Sequence, residues 1–193
     1  SGGARLTMSG RATQFGIDQA AVAGILPELF ALRHVRLRGF HAYMGSRILS
    51  HDVVAENIRQ ILVLAAGLSP MLAAPLDFVD VGGGFPSAYP GMTPPDLELY
   101  VQVIKSAFEG MPVAMNAKLW CEPGRAMVAE STSILARVEL VKDGALHIND
   151  GSYGNLFDAA HCKWPFPVKA HRPDGAFEGG EQTFKLYGTT CDS

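Results

Sequence analysis

Glu122 and Arg125 stand three residues apart in the stretch CEPGR, residues 121–125, at the end of a run that reads as a buried strand. A carboxylate and a guanidinium placed together suit a ligand that carries both signs of charge. Two further clusters share this placing. His41 lies near the end of VRLRGFHAY (35–43), and Gly82, Gly83 and Gly84 follow PLDFVDV (75–81). The clusters recur about one βα unit apart, at 41, 82 and 122, so parallel neighbouring strands would bring them to one rim, the carboxyl edge where α/β folds bind their ligands. Each has a plainer reading alone: the glycines as a tight loop, His41 as a hydrogen-bonded rim residue, Glu122 and Arg125 as a surface ion pair. Their joint occurrence on one rim favours a site. Backbone amides of a glycine loop and a guanidinium suit a phosphate, whereas Glu122 would repel it and so faces a cationic part of the same ligand. A flat, phosphorylated heterocycle with a protonatable ring nitrogen meets both demands, with His41 stacked on its face.

The elements that must position these residues follow from hydrophobic period. The runs at 35–43, 75–81 and 116–122 read as strands separated by two amphipathic helices. In the first helix Val54, Ile58, Ile61, Leu62 and Ala65 share one face of a 3.6-residue period, and Gly67 is placed to end it. The second is expected to open with Thr93 as N-cap and Pro94 at its first position, with Asp96 three residues after the cap. Its inner stripe is Leu97, Tyr100, Val101, Ile104, Ala107 and Phe108, closed by Gly110. An earlier helix over 18–33 is interrupted by Gly24 and Pro27, which predicts a kink or two short helices. This alternation gives an α/β fold with a parallel sheet, doubly wound or closed into a barrel. After residue 130 β-branched runs hinge on Asp143-Gly144, a hairpin signal, and the Pro- and Gly-rich stretch from Trp164 to Gln182 reads as loop.

Composition narrows the function classes. Of 193 residues, 48% are hydrophobic and 18% charged, which fits a globular chain with a sizeable core. The net charge of -3 with scattered Lys and Arg offers no basic stripe, so nucleic acid is not an expected partner. The longest apolar stretch, 61–76, is under the ~18 residues of a membrane span and is broken by Gly67, Pro70 and Pro75. Three cysteines at unrelated spacings predict free thiols in a reducing, cytoplasmic compartment. Cys121 reads as a core thiol in a strand. His161, Cys162 and His171 lack the paired spacing of a structural zinc site, and no metal is expected. Both ends look cut, the first inside a loop and the last directly after a strand-like run, so the chain reads as a segment of a longer one.

Four ordered motifs, VDVGGGFP, CEPGR, NDGSYGNLFDAAH and YGTTCDS, together resemble the fold type III pyridoxal-phosphate decarboxylases, the ornithine, diaminopimelate and arginine decarboxylase group, and lie closest in motif to its ornithine decarboxylase-like members. The likeness runs from TQFGID at 13–18 to Ser193. It implies the second half of an alanine-racemase-like (β/α)8 barrel over residues 1–129, the part that binds pyridoxal 5'-phosphate. Part of a C-terminal β-barrel domain would follow over 130–193. By that resemblance Ser46, Gly83, Gly84 and Arg125 hold the cofactor phosphate, His41 stacks on the pyridine ring, and Glu122 pairs with the ring nitrogen and keeps it protonated. Cys191 looks like the family's cysteine that protonates Cα, reaching across a homodimer interface into the partner's active site. Asp158 and Asp192 resemble the pair that holds the distal ammonium of ornithine, and Tyr153 a supporting tyrosine near the interface.

Those residue types select a substrate. A carboxylate pair attracts a terminal cation, whereas diaminopimelate brings a second, distal carboxylate, so ornithine or lysine is favoured and a diamine is the expected product. The sequence also departs from the pattern. The family's Schiff-base lysine would lie upstream of residue 1. HAYMGS is longer than the HVGS of common ornithine decarboxylases, a form shared with branches acting on other or carrier-linked amino acids, and Thr189 replaces a usual proline. A catalytically dead, antizyme-inhibitor-like binding protein is the alternative from another class. Retention of Gly83, Gly84, Glu122, Arg125 and Cys191 favours the enzyme.

Overall fold

The structure is a computed structural model that describes residues 15–43, 45 and 48–191. They fall into two compact units, one within Thr7–Ala88 and Thr93–Ala129, the other within Tyr89–Met92 and Glu130–Ser193.

The first unit is built on three short parallel strands, β1 (Gly39–His41), β2 (Phe78–Asp80) and β3 (Lys118–Trp120), in that spatial order. Each is three residues long, shorter than the sequence runs that announced it. The register pairs Phe40 with Val79 and Val79 with Leu119. Because strand side chains alternate, this row points one way and the rows Gly39, Phe78, Lys118 and His41, Asp80, Trp120 point the other. Val79 is fully buried, with Phe40 and Leu119 packed against the same core. On the opposite face the rings of Phe78 and Trp120 stack at 4.1 Å. At the amino ends of the strands Arg38 and Arg36 both reach Asp77, the former at 2.7 Å, and the Arg38 hydrogen bond foremost holds the Asp77 carboxyl below its ordinary value.

Three helices pack against the face that carries Phe40 and Val79. Helix α1 (Val22–Ala31) follows a single 3-10 turn, Gln19–Ala21, whose entry Asp18 caps by accepting the Ala20 amide at 2.9 Å. It keeps Pro27 in its interior without dividing into the two short helices that were one expectation, and buries Val22 and Leu26. Helix α2 (His51–Leu68) buries Val54, Ile58, Ile61, Leu62 and Ala65, the predicted stripe. It runs through Gly67, which was expected to end it, and passes into a 3-10 turn, Ser69–Met71, that contains Pro70. Proline has no amide to continue the ladder, so Pro70 rather than Gly67 stops the helix. Helix α3 (Leu97–Glu109) also starts later than expected: Asp96 holds the N-cap position without a side-chain capping bond, and Thr93 and Pro94 lie outside. Pro95 disfavours helical backbone at the residue before it, which pushes the start beyond the proline pair. Tyr100, Ile104 and Phe108 form the buried stripe, while Leu97 and Val101 stay exposed. The sandwich of α2 and α3 on the strands is the core of this unit. A short helix, α4 (Gly124–Val128), follows β3.

The second unit opens with an antiparallel hairpin of β4 (Val138–Lys142) and β5 (Ala145–Ile148). Its turn has φ of 49° at Asp143 and 74° at Gly144, the paired left-handed conformation of the tight hairpin the sequence predicted. Strand β6 (Lys185–Tyr187) lies parallel against β5. A five-residue helix, α5 (Phe157–His161), was not expected, being too short to leave a period in the sequence. Residues 163–184 carry neither helix nor strand. Among the described residues no helix is long and apolar enough to cross a membrane.

Leu62 is fully buried against the strands. Leu62→Ala should cost ~2–5 kcal/mol of unfolding free energy in denaturant titration of the full-length protein. A loss below about 1 kcal/mol would mean that this helix face is not packed as described.

Candidate active site

The carboxyl ends of β1, β2 and β3 are tied together by backbone. Ala42 donates its amide to the Asp80 carbonyl at 3.0 Å, Val81 to Trp120 at 3.0 Å, and Glu122 to Gly82 at 2.9 Å. The glycine loop after β2 is thereby threaded between the loops that leave β1 and β3. A Cβ on Gly83 would sit 2.6 Å from the Glu122 carbonyl oxygen, and one on Gly84 would overlap the carbonyl of Gly45. Gly84 also has φ +90°. Only glycine fits both places. Ile48 closes the arrangement by donating to the Gly84 carbonyl at 3.3 Å. The hydroxyl of buried Tyr100, on α3, donates to the Ile48 carbonyl at 2.8 Å and so ties this loop to the core. Burial pushes the Tyr100 phenol up, which keeps it a neutral donor.

These loops enclose a cavity of about 270 Å³ lined by Tyr43, Gly83, Gly84, Phe85, Glu122, Gly124 and Arg125. Four of these were singled out in the sequence: Gly83, Gly84, Glu122 and Arg125. His41 stands beside it, with Nε2 3.3 Å from Glu122 Oε2. Both side chains are about half exposed, so water screens the pair and its value lies in placement rather than stability. Ser46 falls outside the described residues. Three lining or neighbouring residues were missed. Tyr43 and Phe85 line the cavity from HAYMGS and VDVGGGFP, and Asp80, buried at 7% exposure, offers a carboxylate oxygen within 4.8 Å of His41 and Glu122. Strand alternation was the signal for Asp80, since it shares the face of His41, its register partner.

Cys121 is a correction. It was read as a core thiol within a strand, but β3 ends at Trp120 and Cys121 is exposed. Partial desolvation and then the Asp80 charge push its thiol above the ordinary value, which leaves it protonated and a poor nucleophile.

The other predicted residues lie in the second unit. Tyr153 lines a cavity of about 280 Å³ together with Asn149, Asp150, Gly151, Gly154, Thr189 and Thr190. Asp158 begins the second position of α5 and accepts a weak hydrogen bond from the Cys162 thiol at 3.8 Å. Cys191 is exposed and follows directly on the Thr189–Thr190 wall, and Asp192 falls outside the described residues. Asp150, also missed, fixes the loop that carries Tyr153: its carboxylate accepts the amides of Gly151 at 2.8 Å and Asn155 at 3.1 Å and the Asn155 side-chain amide at 2.8 Å. Those bonds, the Asn155 side chain foremost, hold its carboxyl below the ordinary 3.8.

A depressed carboxyl contributes stability above its unfolded value, and loses it as pH falls through the folded one. Asp150→Ala should therefore lower the urea midpoint by a constant amount from neutral pH to about 4, with the gap to wild type shrinking below that. A gap that does not change with pH would show that the charge of Asp150 plays no part in holding the loop.

Comparison with known proteins places this geometry. Residues 2–129 match the family described as pyridoxal-dependent decarboxylase, pyridoxal binding domain. Among curated proteins the chain is similar to the diaminopimelate decarboxylase of Archaeoglobus fulgidus, 31% identical over 136 residues, covering 69% of this chain and 32% of that protein. A second relative, the diaminopimelate decarboxylase of Neisseria meningitidis, is 28% identical over 159 residues, 78% of this chain and 37% of that one. Among solved structures, the diaminopimelate decarboxylase of Helicobacter pylori complexed with L-lysine superposes with a TM-score of 0.79 at 22% identity, over 93% of this chain and 43% of that one. The lysine/ornithine decarboxylase of Vibrio vulnificus complexed with cadaverine gives 0.75 at 23%, over 94% and 49%. The chain thus spans about a third of the curated relatives and under half of these two structures. At such identities the structural likeness carries the fold.

Proposed function

The chain belongs to the pyridoxal-dependent decarboxylases through their pyridoxal-binding domain, and from that premise we propose that the full-length protein removes carbon dioxide from a basic amino acid of ornithine or lysine type, leaving a diamine. Its fold is part of the alanine-racemase-like (β/α)8 barrel with part of a β-domain, and its cofactor is pyridoxal 5'-phosphate. We assign residues 1–129 to the barrel and 130–193 to the β-domain.

The residues around the first cavity fit that cofactor. The cavity holds a guanidinium and a carboxylate with side-chain-free glycine backbone between neighbouring loops. One group on the cofactor is a dianionic phosphate and another a protonatable ring nitrogen, so a site offering both charges matches it in charge. The presence of Arg125 and Glu122 on the lining of one cavity is the observation that carries the proposal.

When bound, pyridoxal phosphate supplies the electron sink that accepts the electron pair left as carbon dioxide departs. In this reading Arg125, the backbone at Gly83 and Gly84, and Ser46 bind the phosphate. His41 covers the ring face, and Glu122 holds a proton on the ring nitrogen. Cys191 delivers a proton to Cα, and Asp158 and Asp192 receive the distal ammonium, with Tyr153 beside them. The protein works as a homodimer in the cytoplasm, each site borrowing Cys191 from the partner. The three free thiols suit that compartment.

A second reading is favoured by the two curated relatives named above, each a diaminopimelate decarboxylase. Their substrate carries a distal carboxylate that Asp158 and Asp192 would repel, which is why the ornithine or lysine type is preferred. Carbon dioxide release by the full-length protein with added pyridoxal phosphate, measured on ornithine, lysine, arginine, meso-diaminopimelate and glutamate, decides between them. Preference for ornithine or lysine is expected; preference for meso-diaminopimelate overturns the roles of the two aspartates.

Glu122→Ala should lower kcat by roughly 100-fold or more, because it removes a charge that acts as the reaction develops, with a far smaller change in cofactor retention. Unchanged kcat would remove Glu122 from the chemistry. Mixing inactive Cys191→Ala and Glu122→Ala proteins should restore about a quarter of wild-type activity, since half of the dimers are hybrids with one intact site each. No recovery, with subunit exchange verified, would mean that each site is complete within one chain.

A further inference from the structure

Among the described residues Asp80 is the one charged residue that is buried. One of its oxygens accepts the Gly82 amide at 2.9 Å, a short-range bond that closes the turn into the glycine loop. That bond explains a side chain with a carbonyl-type oxygen, but not a charge: asparagine would accept the same amide, and serine could do so as well. Burying a carboxylate is unfavourable unless positive charge answers it. No lysine or arginine among the described residues is paired with Asp80. Instead its oxygen lies within 4.8 Å of Glu122, a second carboxylate, and of His41.

Two carboxylates this close, one of them dry, repel each other unless a cation is shared between them. The arrangement is built around the end of the cavity to which the proposed function assigns the ring nitrogen, and the inference rests on that reading. We propose that Asp80 is a positioning residue of the cofactor site: its buried negative charge, set in register beside His41 and close to Glu122, acts through those two side chains to favour positive charge at the ring-nitrogen end of the cavity. Its location on β2, in the strand rather than the loop, fixes that charge as the loops around it cannot. Cross-strand register puts Asp80 between His41 and Trp120, so its place is set by the sheet itself.

The structural and the electrostatic roles separate by substitution in the full-length holoenzyme. Asp80→Asn keeps an acceptor for the Gly82 amide and removes the charge; Asp80→Ala removes both. The expected result is that Asp80→Asn lowers kcat roughly tenfold or more, shifts the absorption maximum of the bound cofactor, and leaves KM, cofactor retention and melting temperature close to wild type. Asp80→Ala should show the same loss of kcat with a lower melting temperature. Wild-type kcat and spectrum in Asp80→Asn, together with an unstable Asp80→Ala, would overturn the proposal and leave Asp80 as a turn-closing residue alone. Should Asp80→Asn fail to fold, Asp80→Ser, which also retains an acceptor, carries the same comparison. A wild-type protein that neither retains pyridoxal phosphate nor releases carbon dioxide is a different outcome: it overturns the reading of the whole site, and this inference with it.

Discussion

Everything at the rim depends on how closely three backbones approach one another. The three glycines after β2 put no side chain into the space they occupy; the carbonyl of Gly82 receives the Glu122 amide, and Gly83 and Gly84 lie against the carbonyls of Glu122 and Gly45. Any side chain at those two positions would force the strand ends apart. The consequence is that the backbone of Glu122 is held by a main-chain bond to the neighbouring strand's loop, and Arg125 follows three residues later at the start of α4. Both residues line the same cavity, so a carboxylate and a guanidinium are offered to one ligand from a backbone whose spacing is set by the glycine contacts.

The same sheet separates packing from chemistry by alternation alone. Phe40, Val79 and Leu119 face the helices, and their neighbours His41, Asp80 and Trp120 face the other way. Burying one row under α2 and α3 fixes the register, and a slip of one residue would turn His41 and Asp80 into the core. Tyr100 links the two tasks, packing in the core while its hydroxyl holds the carbonyl of Ile48, next to the loop that meets Gly84. The position of the site is therefore a consequence of the core.

Much of this was legible in residue types. The five-residue stripe of α2 and the Asp143-Gly144 turn were read from period and from the need for left-handed backbone, both local properties. The clusters at 41, 82 and 122 were read as one rim because parallel topology repeats the strand end at each unit. Element ends were less legible, since Gly67, Thr93 and Pro94 each compete with a neighbouring proline whose steric demand is stronger than a glycine's permissiveness or a cap's hydrogen bond. Cys121 was misplaced because a strand's end depends on its partner strand, which its own residues do not encode. Asp80 was hidden in plain view inside VDVGGG: its type says surface, and only the sheet register shows it beside His41 and buried.

The two units divide the proposed task in a way that bears on substrate choice. The family match ends at residue 129 and contains His41, Gly83, Gly84, Glu122 and Arg125, the residues to which the proposal assigns the cofactor. Tyr153, Asp158, Cys191 and Asp192, to which the substrate and the proton at Cα are assigned, all lie beyond it. Likeness to the Neisseria diaminopimelate decarboxylase covers 78% of this chain and so extends beyond residue 129, yet at 28% identity it does not fix which groups meet the far end of the substrate. That end is decided by charge: a distal ammonium needs anions, and a distal carboxylate needs at least one cation within reach. In the proposed reading Asp158 and Asp192 answer a terminal amine, and that assignment rests on these two residues rather than on the overall charge of the stretch, which also carries Lys163, Lys169, Arg172 and Lys185.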